Sequence, residues 1–387
     1  MHRVSELRSS PAVRFDRNEL AGAFGDLGTV FPLIAGMILV SGLDAASVLV
    51  MFGALLMLTG LIYGLPMPVQ PLKAMAVIVI TQKLTANILY GGGLAIGILM
   101  LVLMASGLLD WVSRVIPKSV VRGIQFGLGL QLAFLALRTY IPSAGIPGYA
   151  LAAAGFALTL ALYGNRRYPP ALFVIILGVA YALLYQLDAG TFERSFGFAL
   201  PRMSVPSLKD VLAGFVVLAL PQLPLSLGNS ILATRQVVED CFPGRQISVR
   251  KIGLTYAVMN LVNPFFGGVP TCHGSGGMAG HYTFGARTGG SVIIAGALYL
   301  SLGMFFSGGF RELIQLFPQP VLGIILAFEG VALMRLTRDM TSSPGDFTVV
   351  LLVGLIALGL PYGYVIGLVV GTLVAYLARR GLIGLHA

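Results

Sequence analysis

The sequence predicts an all-α polytopic membrane protein with fourteen transmembrane segments in a seven-plus-seven inverted repeat. Three observations carry this. The chain is oily and poorly charged, its basic residues fall mostly on one side when the spans alternate, and two broken spans occupy matching places in its halves. Of 387 residues, 57% are hydrophobic and 10% charged, with a mean hydropathy of +0.89. A soluble domain carries about 25% charged residues, so this chain cannot cover a water-facing surface with charge. The net charge of +10 reads as cytoplasmic loop charge rather than a nucleic-acid footprint. No apolar core with a small-residue cleavage site precedes residue 20, so no cleaved signal peptide is expected. Cys241 and Cys272 lie in different apolar blocks and make no disulfide framework.

A spanning helix needs about 20 mostly apolar residues. Candidate spans are 19–41, 46–64, 67–82, 92–109, 119–137, 149–163, 169–187, 210–233, 251–266, 269–281, 289–307, 318–334, 346–360 and 362–378. With the N-terminus in the cytoplasm and strict alternation, 18 basic residues fall inside and 6 outside. With Lys73, these make up all 25. The split follows the positive-inside rule. Dropping the third or tenth span would reverse every later loop and spoil it. Residues 1–18 then form a cytoplasmic segment, 19–190 the first repeat and 208–380 the second, with both termini cytoplasmic.

The repeat shows in the residues. Leu20, Ala21, Gly22, Pro32 and Gly36 of span 1 match Leu212, Ala213, Gly214, Pro224 and Gly228 of span 8 in spacing. Seven spans separate them, so the second unit is inverted. Inverted repeats with interrupted helices in corresponding positions point to a transporter binding site.

Span 3 opens LPMPVQPLKAMA and span 10 opens GGVPTCHGSGGMAG. Pro66, Pro68 and Pro71 favour extended backbone, so the helix starts near Pro71 with Lys73 in its first turn. Pro270 and glycines 274, 276 and 277 argue for an extended half and a late helix, with Ser275 as N-cap. Two half-helix N-termini then face each other near the midplane, each with free N–H groups and a partial positive charge. Lys73 adds a full charge, which suits a small oxyanion. Its bland alternatives are snorkelling to the surface or pairing with Asp26.

Gln222, Ser226 and Asn229 share one helix face, as do Gly22, Asp26 and Thr29. Both stripes read either as interhelical hydrogen bonding or as walls of the site. Asp26 is a countercharge or cap, or else a proton-coupling acid. Glu329 either reaches the cytoplasmic boundary or gates. A metal site at Cys272, His273 and His281 is disfavoured, because adjacent Cys-His is poor ligand geometry. HGSGG departs from the G-x-S-x-G nucleophile turn, which leaves an intramembrane serine hydrolase a weak alternative.

FGDLGTVFP (24–32), PVQPLKAMA (68–76), PQLPLSLGNS (221–230) and NPFFGGVPTCHGSGGMAGHYTFGARTGG (263–290) together resemble the molybdate transporter family, a branch related to the sulfate permeases. The resemblance runs from about residue 19 onward. It implies a core of spans 1–4 and 8–11, a gate of spans 5–7 and 12–14, and substrate held between the half-helices of spans 3 and 10. Leu72 stands where the family often has methionine. The cytosolic regulatory domain usual in sulfate permeases is not expected, which fits the molybdate branch. Nucleobase permeases, similar in fold, grip neutral rings with carboxylates on spans 8 and 10. Here Gln222 and His273 stand in comparable places, which favours an anion.

The expectation is therefore a secondary active transporter for molybdate in a bacterial inner membrane, needing no cofactor and binding no nucleic acid. Gln70, Lys73, Cys272, His273, Gly274, Ser275, Gly276, Gln222 and Thr29 are expected to hold the anion. Asp26, Asn229 and Glu329 are expected to couple or gate. Proton coupling would run through His273 or Asp26, and lipid-facing gate helices could form a homodimer. A sulfate or general oxyanion carrier is the alternative, and an anion channel a more distant one.

Overall fold

The computed structural model describes residues 13–109, 111, 115–165, 168–185, 196–306 and 316–384. Arg3, Arg8, Arg114, Arg166, Arg167, Arg194 and Arg311, used in the charge count, lie outside the described residues, as do most of the N-terminal segment and residues 186–190 of the first repeat.

Helices occupy each of the fourteen predicted stretches. The first is a bent pair, α1 (Arg17–Ala23) and α2 (Leu27–Ser41), which meet at 41°. The Asp16 carboxylate accepts the Asn18 and Glu19 amides and starts α1. Next come α3 (Ala45–Tyr63), capped by Asp44 through the Ser47 amide, then strand β1 (Gln70–Pro71), α4 (Lys73–Gln82) and α5 (Ala86–Ala105). Then follow α6 (Lys118–Leu135), α7 (Gly145–Ala161) and α8 (Pro170–Tyr185).

The second half begins with α9 (Leu208–Cys241), opened by a Ser207–Asp210 capping box. Two π-helical turns, Phe215–Ala219 and Ser226–Leu232, flank its prolines 221 and 224. A proline removes one ladder donor, and a widened turn absorbs the mismatch. Then come α10 (Val249–Val262), β2 (Thr271–Cys272), α11 (Ser275–Thr283), α12 (Gly290–Phe305), α13 (Gln319–Arg335), α14 (Pro344–Gly359) and α15 (Gly363–Arg379). By length and composition five helices can cross a membrane, or six with the bent first pair; α4, α8, α12, α14 and α15 are shorter apolar helices.

Three details correct the sequence reading. The fold is not purely α-helical, because β1 and β2 pair antiparallel, Gln70 with Cys272 and Pro71 with Thr271. The Leu72 amide extends the ladder by donating to the Pro270 carbonyl at 3.0 Å. In addition, α5 starts at Ala86 rather than residue 92. Its Gly91–Gly93 run is a contact surface inside the helix: a Cβ on Gly91 would lie 2.3 Å from the Asp210 carbonyl oxygen, and Gly92 packs on Gly214. Finally, α11 begins at Ser275 itself, with Gly274 as the cap residue.

The helix pairings sort into two bundles. In one, α3 packs on α12, α5 on α9 and α10, and α2 on α4. In the other, α6 packs on α13 and α14, and α14 on α15. The continuous stretch Lys118–Ala161 reverses on itself around α13: Gly129 touches Gly330 and Gly323 touches Tyr140, then Gly148 meets Pro320 and Gly155 meets Ile324. Antiparallel contacts along α6 thus become parallel contacts along α7. Glu19, buried at the base of the first bundle, accepts the Arg287, Thr288 and Ser291 amides at 2.8–2.9 Å and so caps the turn into α12.

Candidate functional site

Extended backbone inside an apolar protein must be paired, because no water reaches it. The β1–β2 ladder does this and sets two half-helices, α4 and α11, beginning beside it. Side chains alternate across a strand, and directly paired residues share a face. Gln70 and Cys272 therefore point one way, and His273 points the other.

Lys73 is the first residue of α4. Its ammonium donates to Glu329 Oε1 at 2.8 Å, with the side chains 18% and 10% exposed. Glu329 Oε2 accepts from Thr29 Oγ1 at 3.3 Å. The lysine thus pairs with neither Asp26 nor the membrane surface. Asp26 instead accepts from Gln70 Nε2 at 2.5 Å. Lys73 lines a small pocket of about 20 Å³ with Gln125, Gln222, Leu225, Asn229, Ser230, Cys272, Leu333 and Leu336. Through Gln125, Asn229 and Leu336 this pocket adjoins a cavity of about 420 Å³, which also reaches Ser275, Lys118 and Arg122.

Gln222 does a different job from the one expected. Its Oε1 accepts the Ala74 and Met75 amides at 2.9 and 3.3 Å, capping α4 from another helix. Its Nε2 donates to Ser226 Oγ, which bonds the Tyr256 hydroxyl at 2.7 Å. The first turn of α4 is therefore not a set of free N–H groups. The N-terminus of α11 differs: Gly274 gives no side-chain cap, and a Cβ on Gly276 would meet nothing within 4 Å. Beside it, Ser275 Oγ donates to Asn229 Oδ1 at 2.8 Å.

His273 departs from expectation. The imidazole is fully buried, with Nδ1 3.0 Å from the Pro68 carbonyl and Nε2 2.7 Å from Thr255 Oγ1. Tyr63 stacks on it edge-on and shares Thr255. Both ring nitrogens are engaged, on the face of the ladder away from Lys73. Gly274 and Gly277 serve packing. A Cβ on Gly274 would fall 1.6 Å from Gln70 Oε1, and one on Gly277 2.6 Å from Asp26 Oδ2.

The structure thus gathers Lys73, Gln222, Asn229 and Cys272 around one pocket, with Ser275 at the adjoining cavity; Gly276, next in the chain, has open space at its Cβ position. Thr29 and Glu329 face Lys73 from the other side. Asp26, Gln70 and Gly274 form a supporting cluster. Sequence reasoning missed Gln125 and Ser230, polar positions on apolar helices that read equally well as helix packing.

A buried ammonium, paired with one carboxylate and opening on a pocket of neutral polar groups, at a ladder joining two half-helices, fits a helical membrane transporter. The solved structures that match agree on the fold. The transmembrane domain of the cyanobacterial bicarbonate transporter BicA matches with TM-score 0.65 and 17% identity over 93% of this chain and 97% of that one. The murine anion transporter Slc26a9, in its inward-facing state, matches with TM-score 0.67 and 13% identity over 98% and 70%. The family model described as "Molybdate transporter of MFS superfamily" matches residues 18–132 and 214–333. The chain is 34% identical to molybdate transporter 2 of Arabidopsis thaliana, over 85% of this chain and 81% of that protein. It is 28% identical to molybdate transporter 1 of Chlamydomonas reinhardtii, over 93% and 92%. The chain belongs to the molybdate transporter family and is an integral membrane protein.

Proposed function

We propose that the chain is a secondary active transporter that moves molybdate across a bacterial plasma membrane by alternating access. The observation that carries this is Lys73: one cation, mostly buried, in a pocket whose other polar members (Gln125, Gln222, Asn229, Ser230 and Cys272) are neutral. An intramembrane charge is costly and marks a substrate path. One fixed cation with neutral donors favours an anion over a neutral solute. Lys73 supplies charge, Asn229, Ser230 and Ser275 supply hydrogen bonds, and the uncapped first turn of α11 supplies amides. Gln222 holds α4 in place.

Fourteen spans in two inverted repeats are part of this reading, with both termini cytoplasmic. The pairing of α3 with α12 and of α5 with α10 supports it, since exchanging each span with its counterpart seven later turns one pair into the other. The described ion pairs at the loops support it too. Lys118 and Arg122 with Asp339, Arg202 with Asp44, and Arg379 with Asp346 each join residues that alternation assigns to one side.

The test is calorimetric binding of molybdate to the purified chain, with sulfate as competitor. Wild type is expected to bind molybdate and Lys73→Gln to lose at least about tenfold in affinity, the size of one charge-assisted contact. Equal displacement by sulfate would make this a general oxyanion carrier. Unchanged binding in the variant would remove the site. Saturable flux in proteoliposomes, without large currents, would separate a carrier from a channel.

A further inference from the structure

The ammonium that this reading gives to the anion is already engaged. Glu329 holds it at 2.8 Å, and the space beside it is about 20 Å³, room for about one water. The two partners come from different bundles, Lys73 from α4 and Glu329 from α13. Among the described residues, theirs is the one ion pair that joins the bundles.

Helix α13 also separates two cavities. Leu333 faces the lysine pocket, and Leu336, just past the helix end, faces both that pocket and the large cavity beyond it. Ile325, Phe328, Glu329 and Ala332 face another cavity of about 240 Å³, whose remaining polar members are Thr29, Thr159 and Tyr163. Among the described residues, no basic residue lines that second cavity.

We propose that Glu329 is a built-in rival of the transported anion at Lys73, and that the carboxylate takes up a proton when the anion displaces it. This rests on the function proposed above. An oxyanion at Lys73 must replace Glu329 Oε1. The released carboxylate keeps its bond from Thr29 but loses its cation. A lone buried carboxylate is strongly disfavoured, and protonation removes the charge. Lysine and glutamate begin with no net charge between them. With a bound dianion the site carries two negative charges if Glu329 stays ionised, and one if it binds a proton.

The groups around Glu329 leave it as the acceptor. Lys73 on α4 is the cation in contention, and Asp26 at the start of α2 is tied to Gln70. Tyr163 beyond α7 is engaged by Arg335 of α13 itself. On α6, Arg122 and Lys118 are held by Asp339. Helix α8 carries no charged residue.

The experiment is molybdate titration of the purified full chain by calorimetry from about pH 6 to about pH 8, in buffers of different ionisation enthalpy. Wild type is expected to take up a proton on binding, so its affinity rises as pH falls. Glu329→Gln is expected to bind about tenfold or more tightly, to take up no proton and to lose the pH dependence. Glu329→Asp, too short to reach Lys73, is expected to bind more tightly than wild type and to take up less of a proton on binding, because its carboxyl group lacks its cation before the anion arrives. It carries the test if the glutamine variant does not fold. Binding no tighter in these variants, or proton uptake that survives Glu329→Gln, overturns the proposal. If Lys73→Gln alone binds as wild type, the anion site itself is wrong; if Lys73→Gln loses binding while Glu329→Gln behaves as wild type, only the role of Glu329 falls.

Discussion

At the scale of single residues, much of the site follows from what a side chain would collide with or leave unpaired. Gly274→Ala would drive a methyl into Gln70 Oε1. Overpacking of this kind costs about 1–3 kcal/mol, so a lower thermal midpoint in detergent is expected. Gln70→Ala in the same chain should recover part of the loss, which a double-mutant cycle would read. For His273, the buried ring bridging Pro68 and Thr255 predicts that His273→Ala lowers the midpoint while leaving the molybdate affinity of the folded fraction within about twofold of wild type, as expected of a residue outside the site. A large loss of affinity at unchanged stability would return His273 to the binding wall. The sequence pointed to Lys73 because a lone charge in an apolar block is a local signal. It could not name the partner, which lies 256 residues away. It expected His273 at the site, whereas the ring bonds Pro68 and Thr255 on the other side of the ladder; a strand's faces depend on register, and one residue exchanges them.

At the scale of elements, the broken spans were legible because proline and glycine act locally. Their rule-breaking backbone predicted a strand-like half before each half-helix, and β1 and β2 lie there. The start of α5 was not legible, since glycines that let two helix backbones touch look the same in sequence as glycines that end a helix. Loop charges become informative once their partners are known. Asp339, in the turn after α13, accepts from Arg122 and Lys118 at the start of α6. Partial burial works to raise its carboxyl pKa, but the two cations outweigh it and hold it below the ordinary value. The folded pKa is therefore below the unfolded one. The clamp contributes above about pH 4, the unfolded value, and its contribution is lost as pH falls through the folded pKa. Wild type should lose more thermal stability than Asp339→Asn between about pH 5 and pH 3. The difference should be a few tenths of a kcal/mol, since the pair is a third exposed, and should shrink in high salt. Equal acid sensitivity in the two chains would assign the clamp no part in holding α6 to α13.

At the scale of the whole molecule, among the described residues Lys73 with Glu329 is the one ion pair between the two bundles. The division into bundles was implied by resemblance, since no residue pattern states which helices travel together. The ladder adds a consequence for how the chain is made. Gln70 and Leu72 find their backbone partners in Pro270–Cys272, roughly 200 residues later, a long-range pairing of the kind that forms late. Until the second half is synthesised, the span from Leu65 to Leu72 holds amides and carbonyls with no partner, in a medium that offers none. The first half released alone should therefore be a substrate for membrane quality-control proteases. Supplying residues 196–387 as a separate polypeptide should protect it, provided that Pro270–Cys272 can still dock as the second strand.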